Sequence, residues 1–298
     1  MRFGLVWRGD ESVVETARRA EDAGYARLLF PDHTGMVAPM PAMAAAAAVT
    51  SRIEVGPQVI NIAFRPLGAL AQEAAAVDLI SGGRLLLGLG AGYAEQEVRS
   101  LGLPFPDNAG RIQAVARAIE LLPRLFAGET VTDEESGLDG FSLDPKPPQG
   151  AAVPMLVGGN GDRMLAVAAR GAQVVQFTGF TAAATQDQHR VSHFTTDGLA
   201  ERLEYVRRVA GDRFAELTLS VLVQHARVVA DRRAAIEELL SGESLPVAEA
   251  LDSPFMLFGS VDEICHRIQE LRERFGISYL TVFDGRNAGF DQVVSRLA

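Results

Sequence analysis

Short apolar runs rich in Val, Ile and Leu alternate with amphipathic stretches along the chain. Strands buried on both faces read as continuous apolar runs, so the alternation predicts repeated strand–helix units around a parallel sheet. Strands are predicted at 2–6, 26–30, 53–59, 84–89, 153–157, 172–177, 217–229 and 279–283. Helices are predicted near 11–23, 41–48, 67–81, 111–126, 162–170, 197–210 and 261–274. Eight strands in this order predict a (β/α)8 TIM barrel of the α/β class, with a doubly wound open sheet as the alternative. The turn-rich stretch 129–150, with Gly137, Gly140, Pro145, Pro147 and Pro148, predicts a hairpin or loop insertion within one domain spanning 1–298.

Composition narrows the class. A length of 298 residues suits one barrel with insertions. Hydrophobic residues at 48% and charged residues at 22% exclude a disordered chain. A net charge of −10 argues against a nucleic-acid partner, whose backbone attracts basic surfaces. Cys265 is the only cysteine, which excludes an intramolecular disulfide and any multi-cysteine metal site; its helical context predicts a structural thiol. No apolar run approaches the roughly 18 residues of a membrane span, and residues 1–10 read as a strand rather than a signal peptide. A soluble, cytoplasmic protein is expected. Lys146 is the only lysine and sits in the loop sequence Asp144-Pro145-Lys146-Pro147-Pro148, which excludes Schiff-base chemistry on a barrel strand.

Barrel active sites lie at the C-terminal ends of the strands, and polar and glycine residues cluster there. After strand two come Asp32 and His33, a carboxylate and an imidazole that can face a central cavity; the alternative is a capping aspartate and a surface histidine. Strand three runs out through Gln58, Val59 and Asn61, followed by Arg65. Strand four ends in Gly88-Leu89-Gly90-Ala91-Gly92-Tyr93, with Glu95 and Glu97 just beyond. The G-x-G-x-G spacing departs from the dinucleotide fingerprint, and the glycines are expected to let a flat ligand approach the backbone. After strand five, Gly158-Gly159-Asn160-Gly161-Asp162 opens a helix, which makes either a phosphate site or a tight turn capped by Asn160 or Asp162. His189, His193 and His266 lack metal-ligand spacing and are expected on the surface or on helices; His225 is expected as a satisfied barrel histidine.

These segments together resemble the luciferase-like flavin monooxygenase family. The match runs through Thr50-Ser51-Arg52-Ile53-Glu54-Val55-Gly56, Arg65-Pro66, Leu70-Ala71, the block from Asp78 to Arg84, Gly88 to Tyr93 and Glu97. Arg111, Gly158-Gly159 and the run Gly259 to Glu263 extend it. The resemblance implies a barrel with an insertion, a homodimer, and a flavin or the deazaflavin coenzyme F420 acting on a small-molecule substrate. Asp32-His33 is similar to the F420-dependent branch, where this pair faces the tricyclic ring. That branch also implies a non-prolyl cis peptide after strand three, at Gln58-Val59 by position, and a coenzyme phosphate at Gly158, Gly159, Asn160 and Gly161. Gln58, Val59, Asn61, Gly90, Ala91 and Gly92 would then border the coenzyme.

On this resemblance His33 is expected to handle a proton or polarise the ring, Asp32 to position it, and Tyr93 to donate to substrate. Val37 and Tyr93 stand where sugar-phosphate dehydrogenases of the branch carry tryptophan and glutamate, which argues against sugar-phosphate oxidation. Trp7, the only tryptophan, is expected to line the pocket, and loops 34–40 and 177–194 to select substrate. The alternatives are an FMN-dependent monooxygenase using O2 and a non-catalytic flavin-binding barrel.

Overall fold

The computed structural model describes residues 1–182 and 189–298. In chain order the strands are β1 (Arg2–Val6), β2 (Arg27–Phe30), β3 (Glu54–Pro57), β4 (Ile60–Asn61), β5 (Leu87–Gly90), β6 (Val131–Asp133), β7 (Leu138–Phe141), β8 (Met155–Gly159), β9 (Val174–Phe177), β10 (Phe180–Ala182), β11 (His189–Val191), β12 (Thr218–Val223), β13 (His225–Val228), β14 (Met256–Gly259) and β15 (Ile277–Phe283). Nine of them form one parallel sheet in the order β3-β2-β1-β15-β12-β9-β8-β5-β4. Because β3 and β4 are two halves of one strand, the sheet curls round on itself. A bridge between Val55 and Leu85 joins the two edges, giving the predicted eight-stranded barrel with its third strand divided.

Alternation along the strands sorts the core into two compartments. Val6, Leu29, Leu86, Leu156, Val174 and Tyr279 pack together inside the barrel. Their neighbours Leu5, Leu28, Phe30, Val175 and Leu280 point outward into the layer of helices. Each fully buried Leu, Val or Phe contributes roughly 1.5–3 kcal/mol, so the outer layer carries most of the stability. Gly4 leaves the inner space that the Tyr279 hydroxyl occupies, and Arg27 lies over the Tyr279 ring at 4.3 Å.

Several residues of the characteristic sequence block hold the N-terminal side of the barrel together. Buried Asp78, on the helix Leu67–Ser81, accepts from Leu85 N and from both nitrogens of Gln149, tying helix, strand and insertion. Arg84 donates to the carbonyls of Ala47, Thr50, Ile53 and Ser81, satisfying backbone oxygens at two helix ends and at the start of β3. Burial opposes ionisation of Glu21, yet three N–H donors from Ser51, Arg52 and Ile53 outweigh it and lower its pKa.

The differences from the predicted elements have local causes. The third strand breaks at Gln58–Val59, whose peptide is cis as the resemblance implied. The fourth starts at Leu87 rather than 84, because Arg84 is engaged with the helix carbonyls of Ser81 and Ala47. The seventh ends at Val223; the chain then resumes as β13, pairing with the unanticipated β14 outside the barrel. Short helices at Glu95–Ser100, Arg232–Leu239, Val247–Asp252 and Asp291–Leu297 were also not expected. Of the hairpin and loop alternatives for the insertion, the structure has β6 paired antiparallel with β7. Cys265 is buried on the helix Val261–Phe275, and burial raises its thiol pKa. No helix among the described residues is long and apolar enough to cross a membrane.

Candidate active site

At the C-terminal ends of the barrel strands lies a cavity of about 860 Å³, within the range of ligand sites. All the residues expected to act in catalysis or to border the coenzyme line it: Asp32, His33, Gln58, Val59, Asn61, Gly90, Ala91, Gly92, Tyr93, Gly158, Gly159, Asn160 and Gly161. Four successive barrel strands deliver them, because glycine and polar residues can follow a strand end without being needed for its core.

The pairing of the candidates differs from expectation at Asp32. Its buried carboxylate accepts from Arg65 at 2.9 and 3.2 Å and from Asn61 N at 3.0 Å, so it fastens the far side of the strand-three bulge rather than His33. The partner of His33 is Glu97, whose carboxylate oxygens lie 2.9 and 3.0 Å from Nδ1. Thr34 N donates to the same carboxylate at 3.3 Å. With Nδ1–H given to Glu97, Nε2 is the ring nitrogen left to accept or release a proton. Tyr93 meets the His33 ring edge to face at 5.6 Å. Glu97 was visible in the sequence as part of the block, but its partner was not, because the helix Glu95–Ser100 that carries it was not foreseen.

The strand-four glycines serve the protein as well as any ligand. A Cβ at Gly88 would overlap the Pro57 carbonyl, at Gly90 the Val59 side chain, and at Gly92 the Asn61 amide. They make room for the bulge. Arg111 secures the loop beyond, donating to Gly92 O at 3.2 Å and Pro106 O at 2.6 Å, with its guanidinium over Phe105. We expect Gly88→Ala, facing a backbone carbonyl that cannot swing aside, to lose about 1–3 kcal/mol of stability by urea denaturation. An unchanged midpoint would show that the bulge can move.

On the opposite wall Gln58 donates to Gln176, which donates in turn to Ser220 Oγ (3.2 Å) and Thr281 Oγ1 (3.0 Å) inside the barrel. Among the described residues Gln58 Oε1 and Asn160 Oδ1 are buried without a hydrogen-bond partner, and both residues border the cavity. Leaving such an atom unmade costs about 1–3 kcal/mol, which a bound polar group would relieve. The helix Asp162–Gly171 begins here with no side-chain cap, so neither Asn160 nor Asp162 caps it and its first N–H groups face outward. Asn160 instead donates to Ser192 O.

Four other expectations are corrected or bounded. Trp7 does not border the cavity; it packs on Phe30 and donates to Glu11 O at 3.1 Å. His225 lies on β13 outside the barrel and is unsatisfied, with Nδ1 buried and unpartnered. His193 is half-buried in a loop at φ 52°, with Ser192 Oγ 2.8 Å from Nδ1, while His266 is exposed on its helix as expected. His189 is on strand β11, not a helix, and its side chain, with residues 183–188 of the anticipated substrate loop, lies outside the described residues. Among the described residues no three His, Cys, Asp or Glu side chains gather as metal ligands.

The family model for luciferase-like monooxygenases matches residues 10–250. An F420-dependent glucose-6-phosphate dehydrogenase of Beutenbergia cavernae is 38% identical over 123 residues, 38% of this chain and 36% of that protein. A 5,10-methylenetetrahydromethanopterin reductase of Methanopyrus kandleri is 29% identical over 182 residues, 56% of this chain and 52% of the relative. The matched region thus spans about half or less of each relative's length. The structure of the coenzyme F420-dependent tetrahydromethanopterin reductase of Methanopyrus kandleri superposes with a TM-score of 0.78 at 19% identity, covering 99% of this chain and 96% of that one. At that identity the likeness establishes the barrel fold.

Proposed function

The chain belongs to the luciferase-like monooxygenase family, and from that premise we propose that it is a coenzyme F420-dependent oxidoreductase moving a hydride between the deazaflavin and a small organic substrate. The observation that carries this reading is the convergence on one cavity of His33, held from behind by Glu97, the Gln58–Val59 bulge and the uncapped helix start at Gly161. The residues present fit such a coenzyme. Gln58 Oε1 and Asn160 Oδ1 are orphaned acceptors toward ring or side-chain donors, and the helix start offers N–H groups to a phosphate. Relatives named as F420-dependent glucose-6-phosphate dehydrogenases support the choice over FMN.

Bound deazaflavin supplies the hydride donor and acceptor chemistry. Gly158, Gly159 and Gly161 would admit its phosphate against the backbone, and the bulge would support its ring. His33 Nε2 would hold or deliver the proton that accompanies hydride transfer, with Glu97 fixing the ring through Nδ1. Asp32 and Arg65 would act through Asn61, keeping the bulge in place.

The test is a screen of alcohols, aldehydes, ketones and enones for oxidation of reduced F420 or reduction of oxidised F420, followed by coenzyme absorbance. Turnover with any of them supports the reading; coenzyme binding with no turnover across these classes favours a non-catalytic flavin-binding barrel. Glu97→Gln keeps an acceptor but removes the charge. We expect kcat to fall about tenfold or more with KM and coenzyme affinity unchanged. A rise in KM at constant kcat would make Glu97 a support of the substrate loop.

A further inference from the structure

The charges around the cavity do not cancel. Its two bordering carboxylates, Asp32 and Asp162, are matched by Arg65 and Arg202, neither of which borders it. Three arginines do border it, Arg8, Arg163 and Arg286, and among the described residues none has an ion pair or a side-chain hydrogen bond. In a chain of net charge −10, a wall left cationic in this way calls for an anionic occupant.

The three fall into two places. Arg163 stands on the first turn of the helix Asp162–Gly171, beside the Gly158–Gly161 loop assigned above to the coenzyme phosphate. Arg8 and Arg286 follow β1 and β15, adjacent strands paired Val6 to Phe283. Both are half-buried. The Arg286 backbone is fixed at both ends, its N–H donating to Phe283 O at 3.1 Å and its carbonyl accepting from Ala226 N at 3.0 Å. Burial and the neighbouring Arg8 lower the Arg286 pKa. Behind them, burial together with Arg286, Arg227 and Arg8 pushes His225 down to about 4. Like charges are thus held together in a partly desolvated corner, and among the described residues neither arginine has a carboxylate as ion-pair partner.

We propose that Arg8 and Arg286 form the anchoring subsite for an anionic group of the substrate, a carboxylate or a phosphoryl group. Guanidinium forks match both groups, and one anion between the two would remove their repulsion. The subsite neighbours β2, whose end carries His33, so an anchored substrate extends toward the proposed proton-handling nitrogen. The assignment to substrate rests on the coenzyme reading, which places the coenzyme at the bulge and the Gly158–Gly161 loop.

Calorimetric titration of the full chain with inorganic phosphate and, separately, benzoate tests the subsite. Saturable binding of at least one anion is expected, weakened about tenfold or more in Arg8→Gln and in Arg286→Gln and changed less than about twofold in Arg163→Gln. The stronger of the two anions assigns the group. Absence of saturable binding, or binding indifferent to Arg8→Gln and Arg286→Gln, overturns the subsite, as does a loss confined to Arg163→Gln. A parallel F420 titration of the same proteins separates the two readings. Both Gln variants at Arg8 and Arg286 are expected to bind F420 as the wild type does. Failure of the wild type to bind F420 overturns the coenzyme assignment, while the anion titration still decides whether the arginines bind an anion.

Discussion

Replacing His33 with alanine is expected to lower turnover about 10²–10⁴-fold, the usual contribution of a positioned acid or base, while F420 affinity changes less than about threefold. The expectation follows from the placement of one nitrogen. Glu97 occupies Nδ1, which leaves Nε2 as the ring nitrogen for proton handling, and among the described residues no other histidine borders the cavity to replace it. The coenzyme contacts proposed for the glycine loop and the bulge do not depend on the ring, which is why binding should survive. Steady-state kinetics on an accepted substrate, with fluorescence titration of the coenzyme, separates the two effects. Unchanged turnover would remove His33 from the mechanism; parallel loss of turnover and coenzyme binding would make it a coenzyme-binding residue instead.

Removing Arg65 should have the largest effect on stability among the residues of the site. Asp32 is only 6% exposed, and Arg65 supplies two of its hydrogen bonds. Arg65→Ala leaves a buried carboxylate with one remaining donor, Asn61 N, and such unpaired charges cost about 3–5 kcal/mol. The double variant Asp32→Asn/Arg65→Ala should be more stable than Arg65→Ala alone, since the charge is gone. Urea denaturation of the wild type and both variants reads this directly. A loss of under about 1 kcal/mol in Arg65→Ala would mean that the pair behaves as an exposed one.

The barrel was legible because its strands are short apolar runs separated by caps and glycines. The helix Leu67–Ser81 ends at Gly82 in the left-handed conformation, and the expected boundaries coincide with it. Where one apolar run crosses two environments, as between Thr218 and Val228, nothing in the residues marks the change from barrel strand to outer strand at Gln224. That the strand-end candidates would line one cavity was equally legible, since strand ends face it whatever their partners. Its internal pairing was not. Asp32 and His33 are adjacent in sequence, yet successive side chains diverge, and their partners, Arg65 in a loop and Glu97 on the helix Glu95–Ser100, lie 33 and 64 residues away. The strand-four glycines illustrate the same limit: sequence indicated close approach, while only the structure identified the Gln58–Val59 bulge as what approaches.

The central claim is the identity of the coenzyme, and an equilibrium titration of the purified protein with F420 and with FMN, each followed by ligand fluorescence, tests it most directly. Saturable binding of F420 at concentrations where FMN does not bind is the predicted result. Preferential binding of FMN would contradict the account and assign the cavity to a reduced-flavin monooxygenase instead.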